Sequence, residues 1–203
     1  MTTPEPPLTQ GPGRLERRKA RTRAAIVEAA ESLFHAQGYD ETSIQQIAER
    51  ADTGVGTLYG YYPSKEDILR AVLRQSTSEA LAQYLATASA GTPPIERICG
   101  GLAAFAEYIR GNRRVLLASF EMVARARRYE EMPARQLAVV FETIINEGIA
   151  AGTISPVPPE TAASLLVGAY LQAMLGIGVW FGREDDPRTD RELEALVRAL
   201  LTP

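Results

Sequence analysis

The chain has 203 residues, 45% hydrophobic and 23% charged, with a net charge of −3, enough for one sizeable core or two small ones. A single cysteine, Cys99, excludes an intramolecular disulfide and fits a reducing, cytoplasmic address, and a single histidine, His35, excludes a histidine triad or a multi-histidine metal site within one subunit. No G-x-S-x-G, phosphate loop or dinucleotide fingerprint is present, so the composition points away from an enzyme and implies no cofactor.

Residues 1–13, MTTPEPPLTQGPG, are rich in Pro, Gly and Thr, lack the apolar run of a signal peptide and read as a disordered tail. The next ten residues carry Arg14, Arg17, Arg18, Lys19, Arg21 and Arg23 against Glu16 alone, so the acidic total conceals a basic segment. A first helix is predicted over 17–37, with Ile26, Ala30, Leu33 and Phe34 on one face and Gly38 placed to end it. Thr42 or Ser43 can cap a second, since each has a glutamine three residues on, and Ile44, Ile47 and Ala48 form its apolar face. Asp52, Thr53 and Gly54 are turn formers. A third short helix, 55–61, turns Leu58 and Tyr62 inward and stops before Pro63. Few of its side chains are needed for a core, and its glycines, Gly56 and Gly60, cost about 1 kcal/mol each relative to alanine. Either the tertiary frame absorbs that loss or a partner approaches the backbone closely. Two short helices joined by a tight turn, the second with a free face, are what a helix-turn-helix offers the DNA major groove.

The remainder reads as helical throughout. A fourth helix begins at Ser64, in capping-box spacing with Asp67, and runs toward Leu85; the segment ASAGTPP at 88–94 breaks the pattern. Helices are then predicted over 98–109, 115–128 and 134–151, the first two separated by Gly111 and Asn112. Residues 161–182 carry no charge, a length that meets the simple rule for a membrane span. Ser164, Gln172, four glycines and the missing Lys/Arg flanks favour a helix buried in an oligomer interface instead. An amphipathic helix over 188–201 closes an all-α chain of about nine helices, a helix-turn-helix domain at 14–63 and a helical body at 64–203, to which the family resemblance given next assigns ligand binding and dimerisation.

Residues 22–72, through Ala29-Ala30, Leu33-Phe34, Gly38, Thr42, Ile47-Ala48, the run Gly56 to Tyr59, Tyr61 and Ser64 to Glu66, resemble the TetR (tetracycline-repressor-like) family of transcriptional regulators. The family's usual turn glycine, apolar residue and serine stand here as Asp52, Thr53 and Gly54. The resemblance implies a homodimer whose heads enter successive major grooves of a palindromic operator, half-sites about 34–36 Å or a multiple apart. It carries DNA contacts onto Gln45, Val55, Gly56, Thr57, Tyr59, Gly60, Tyr61 and Lys65. Gln45 suits an adenine edge, Val55 a thymine methyl, and the hydroxyls of Thr57, Tyr59 and Tyr61 suit phosphate oxygens. Lys65, at a helix N-terminus, suits a phosphate. Arg21 and Arg23 either hold the DNA backbone or enter the minor groove, or form a solvated basic helix end.

Phe105, Tyr108, Phe120 and Phe141 are candidate walls of an effector pocket, or plain core. Glu121 either meets a cationic ligand or pairs with Arg125 one turn on. The resemblance implies that the last two long helices of each subunit build the dimer interface, with Tyr170, Leu171, Trp180, Leu193 and Leu196 as its candidates. The expected function is a repressor released by a small, largely apolar molecule, with an architectural DNA-binding protein lacking effector control as the alternative.

Overall fold

The computed structural model describes residues 13–87, 91–126, 134–177 and 186–203, and these form eight helices. The chain divides into two compact units between Ile68 and Leu69.

In the amino-terminal unit, α1 (Arg14–Gln37) buries Ile26, Val27, Ala30 and Phe34, a stripe at intervals of three and four residues that packs on α2. It ends at Gly38, whose φ of +92° a side chain would strain and whose N–H donates to the Phe34 carbonyl. Of the two possible caps for α2 (Ile44–Arg50), Ser43 takes the role. The Gln46 N–H donates to Ser43 Oγ and the Ser43 N–H to Gln46 Oε1, at 3.2 and 2.8 Å. Thr42 is buried instead, its hydroxyl donating to the Gly38 carbonyl at 2.7 Å.

The turn after α2 accounts for the departure at Asp52. The Thr53 N–H donates to the Ala48 carbonyl and the Asp52 N–H to the Glu49 carbonyl, the bond pair of a Schellman ending, with Asp52 at φ +49° where glycine is usual. Aspartate is among the few other residues that tolerate this region. Helix α3 (Val55–Tyr61) then buries Leu58. Ser64 and Asp67 exchange two hydrogen bonds at the start of α4 (Lys65–Thr87), which begins in this unit and continues into the next.

In the carboxy-terminal unit, α5 (Pro94–Ala126) is one helix of 33 residues. The break expected at Gly111 and Asn112 is absent. The apolar stripe of Leu102, Phe105 and Ile109 continues without a change of phase through Leu116, and its burial outweighs the cost of one exposed glycine. Asn112 stays in the helix by donating to the Tyr108 carbonyl at 2.8 Å. Two expected helices are thus merged into α5, which leaves eight helices among the described residues, close to the expected nine. Helix α6 (Ala134–Ala150) buries Leu137, Phe141, Ile144 and Ile145, and packs with α5 against α7 (Pro159–Leu175).

The uncharged stretch does not run through as one span. Gly176, in the left-handed conformation, ends α7, and Arg113 Nη2 from α5 donates to the Leu175 carbonyl at 2.9 Å, a cation at a helix C-terminus. Among the described residues no helix is long and apolar enough to cross a membrane. Helix α8 (Pro187–Leu201), capped by Asp186, buries Leu193, Val197 and Leu201. Two polar clamps tie it to α5. Arg110 Nη2 donates to both oxygens of Asp190 at 2.6 Å, and Arg198 meets both oxygens of Glu96 at 2.6 and 3.0 Å. These bonds hold the Glu96 carboxyl below the usual carboxylate range.

Candidate functional site

Helix α3 presents most of its surface outward. Gly56, Thr57, Tyr59 and Gly60 are exposed, Tyr59 by 49%, while Val55 and Tyr61 are half-buried; Gln45 is exposed on α2. A Cβ built on Gly56 or Gly60 meets no atom within 4 Å, so the subunit's own packing does not demand glycine at either position. Arg21 and Arg23 are exposed on α1, and the Arg23 guanidinium lies 5.9 Å from the centre of the Tyr61 ring. Between the start of α1 and the turn leading into α3 runs an open groove of about 640 Å³. Arg18, Lys19, Arg21 and Thr22 line one wall, Gly54, Thr57 and Tyr61 the other. Arg18 and Lys19 thus join the candidate contacts. The helical interval 18, 21, 22, 25 is the signal in the sequence that points to them.

Lys65 has an arrangement that its helix-terminal position did not suggest. Its ammonium donates to the carbonyls of Tyr39 and Thr42 at 2.8 and 2.9 Å and more weakly to that of Asp40 at 3.4 Å, and it sits 4.2 Å from the centre of the Tyr39 ring. An ammonium has three N–H groups, and these carbonyls occupy them. In this structure Lys65 binds the head's own backbone, where a phosphate contact was expected.

In the carboxy-terminal unit two small adjoining cavities, about 20 and 30 Å³, share Thr77, Phe105, Tyr108 and Ala134. Leu116, Ser119, Phe120, Leu171 and Leu175 complete the first, and Ala80, Leu81, Tyr84, Ala104 and Leu137 the second. Phe105, Tyr108 and Phe120 are therefore cavity walls. Phe141 is not: it is fully buried and fills the space over Gly101, where a Cβ would stand 2.7 Å from its ring. Glu121 is also absent from both linings and faces outward, because it lies on the opposite side of α5 from the buried Leu116 and Ser119. The dimer candidates separate in the same way. Tyr170, Leu171 and Leu193 are buried in their own subunit, which removes them from any outer face; burial also raises the Tyr170 phenol above its ordinary pKa. Leu196 is 62% exposed. Trp180 lies outside the described residues.

Two family models match the chain: "Bacterial regulatory proteins, tetR family" over residues 26–72, and "Tetracyclin repressor-like, C-terminal domain" over 96–203. The chain belongs to the TetR family. This TetR-family member is a ligand-responsive transcriptional regulator with a helix-turn-helix head. It is 28% identical over 200 residues to the HTH-type transcriptional regulator TcmR of Streptomyces glaucescens, covering 92% of this chain and 82% of that one. It is also 28% identical over 187 residues to the HTH-type transcriptional repressor DhaR of Mycobacterium sp. strain GP1, covering 88% and 92%. A TetR-family transcriptional regulator from Pectobacterium atrosepticum has the same fold, with a TM-score of 0.74, 22% identity and coverage of 95% and 99%. The regulator's relatives are named for control of transcription and not for a catalysed reaction.

Proposed function

We propose that this chain acts in the cytoplasm as a homodimeric repressor, holding a palindromic operator through Gln45 and the exposed face of α3 and leaving it when a small uncharged effector enters the carboxy-terminal unit. Arg18, Lys19, Arg21 and Arg23 would neutralise phosphates along the groove beside α3. Helix α3 carries no arginine for bidentate guanine recognition, so specificity leans on apolar contacts, groove shape and half-site spacing.

The observation that carries the dimer is the exposure of large leucines on the last two helices. Leu165 on α7 is 64% exposed, and Leu196 and Leu200 on α8 are 62% and 43% exposed. Gly168 shares the outer face of α7 with Leu165, and a Cβ there meets nothing within 4 Å. A mid-helix glycine costs about 1 kcal/mol relative to alanine, and close approach of a second copy offsets that cost. The double substitution Leu165→Glu, Leu196→Glu is expected to leave the helical signal unchanged, since both side chains are exposed. It should convert a dimer to a monomer in analytical ultracentrifugation and weaken operator binding by about a hundredfold or more, the gain that joining two half-site contacts supplies. A double variant that stays dimeric would refute this face.

Gly56→Ala and Gly60→Ala separate DNA approach from folding. Each should raise the head's stability by up to about 1 kcal/mol, because the added methyl meets open space. Each should also lower operator affinity by about tenfold, on the order of one lost close contact. Thermal melting and fluorescence anisotropy read the two effects independently. Anisotropy against a scrambled duplex of equal length, across a salt series, tests the architectural alternative: that protein would show the same affinity for both duplexes.

A further inference from the structure

The two cavities differ from an ordinary leftover of packing in their chemistry. No charged side chain lines either among the described residues. Thr77 on α4 and Tyr108 on α5 line both, and their hydroxyls are hydrogen-bonded at 2.9 Å. The Tyr108 phenol also meets the Ser76 hydroxyl at 3.0 Å, so one phenol ties two consecutive residues of α4 to α5. Around this polar point the walls are aromatic and aliphatic. The ring of Phe105 lies nearly parallel to that of Tyr108, at 14° with centroids 6.4 Å apart.

We propose that Thr77 and Tyr108 are the polar anchor of the effector site, and that the effector is an uncharged aromatic compound bearing a phenolic hydroxyl, which takes over the hydrogen bonds now made between α4 and α5. This rests on the effector-controlled repression put forward above and specifies its chemistry. An ion in this space would be stripped of water with no opposite charge to meet, whereas a hydroxyl finds a donor and an acceptor in Thr77 and Tyr108. The aromatic walls suit a flat ring.

The same geometry supplies the regulation. Each cavity holds about one water, while even a benzene-sized guest needs a space on the order of 150 Å³. Entry therefore requires the shared wall to give way, and that wall is made of Thr77 on α4, Phe105 and Tyr108 on α5 and Ala134 on α6. A ligand that takes over the Thr77–Tyr108 bond loosens α4 from α5. Helix α4 runs unbroken from Lys65, which holds the Tyr39 and Thr42 carbonyls, to Thr77, and the operator measurement below tests whether that continuity carries the effect. By linkage, operator must weaken the ligand by the factor with which the ligand weakens operator.

A matched set of probes tests this: naphthalene, 1-naphthol, 1-naphthoate and 1-naphthylmethylammonium, measured by equilibrium dialysis on the full chain. 1-Naphthol should bind about tenfold tighter than naphthalene, the value of one hydrogen bond in a closed site, and both ions should bind more weakly than naphthalene. Tyr108→Phe and, separately, Thr77→Val should abolish the advantage of 1-naphthol, with naphthalene bound no more weakly than by the unaltered chain because the bond that must open is gone. Saturating 1-naphthol should lower operator affinity. Tight binding of either ion, no binding by any probe, or a naphthol advantage that survives both substitutions would overturn the anchor. Naphthol binding with unchanged operator affinity would overturn its coupling to α4. Operator affinity measured without any probe reports separately on the DNA-binding reading.

Discussion

Lys65→Ala is expected to destabilise the amino-terminal unit by about 3 kcal/mol, the upper range for hydrogen bonds from a charged donor, and to reduce operator affinity through that loss. The ammonium gathers the carbonyls of Tyr39 and Thr42 and, more weakly, Asp40, and packs on the Tyr39 ring, which leans on Phe34 at 5.3 Å between centroids. One side chain from the start of α4 thus fixes the segment between α1 and α2. That segment ends in Ser43, the cap of α2, and so sets where Gln45 stands. Lys65→Arg should rescue poorly, because a planar guanidinium does not converge on carbonyls gathered around a point charge. Lys65→Met keeps the stem and isolates the lost donors. Thermal melting separates this role from a phosphate contact. A phosphate ligand would leave the melting temperature unchanged and reduce the salt slope of operator binding by about one; the clamp predicts a large fall in melting temperature.

Phe141→Ala should cost about 3–5 kcal/mol, the usual range for emptying a fully buried aromatic site. Phe141 has no exposed surface, and the place where Gly101 would carry a Cβ lies 2.7 Å from its ring and 2.9 Å from that of Tyr84. Gly101 is what lets α5 approach these rings. Gly101→Ala alone should therefore cost about 1–3 kcal/mol from overpacking, despite the better helix propensity of alanine. Combined with Phe141→Leu, which removes the crowding ring atoms, it should cost less than the sum of the two single changes, with a coupling of about 1 kcal/mol. Rescue should be partial, because Tyr84 stays in place through the bond from its hydroxyl to the Arg97 carbonyl at 2.6 Å. Urea unfolding of the four proteins checks this, and strict additivity would show that the two sites do not meet.

The legible features of this chain were those written within a few residues. The Ser43–Gln46 cap, the turn at Asp52 and the inward Leu58 and Tyr62 follow from backbone demands that short-range spacing records. Phe105, Tyr108 and Phe120, singled out as aromatic residues at helical intervals, border the small cavities of the carboxy-terminal unit. The same signal did not separate Phe141, which is plain core, from the cavity walls, because periodicity marks a buried face without saying whether a cavity or a glycine lies opposite it. Gly111 and Asn112 read as a break since local propensity weighs against helix there; the stripe continuing to Leu116 decides otherwise through burial that only packing supplies. Tyr170 and Leu193 read as interface candidates from their apolar character and the family resemblance, yet which face turns inward depends on where the neighbouring helices lie. The tertiary structure alone left Leu165, Leu196 and Leu200 outside. Lys65 shows the limit most directly: its partners are 23 to 26 residues away in sequence, and a hydrogen bond across that separation leaves no periodic trace. By itself the sequence determined most of the helices, the capping-box spacings and the family, because these rest on local backbone chemistry and fixed spacing. The third dimension decided which side chains are shared between helices and which remain exposed, because burial is a property of neighbours that the chain order does not name.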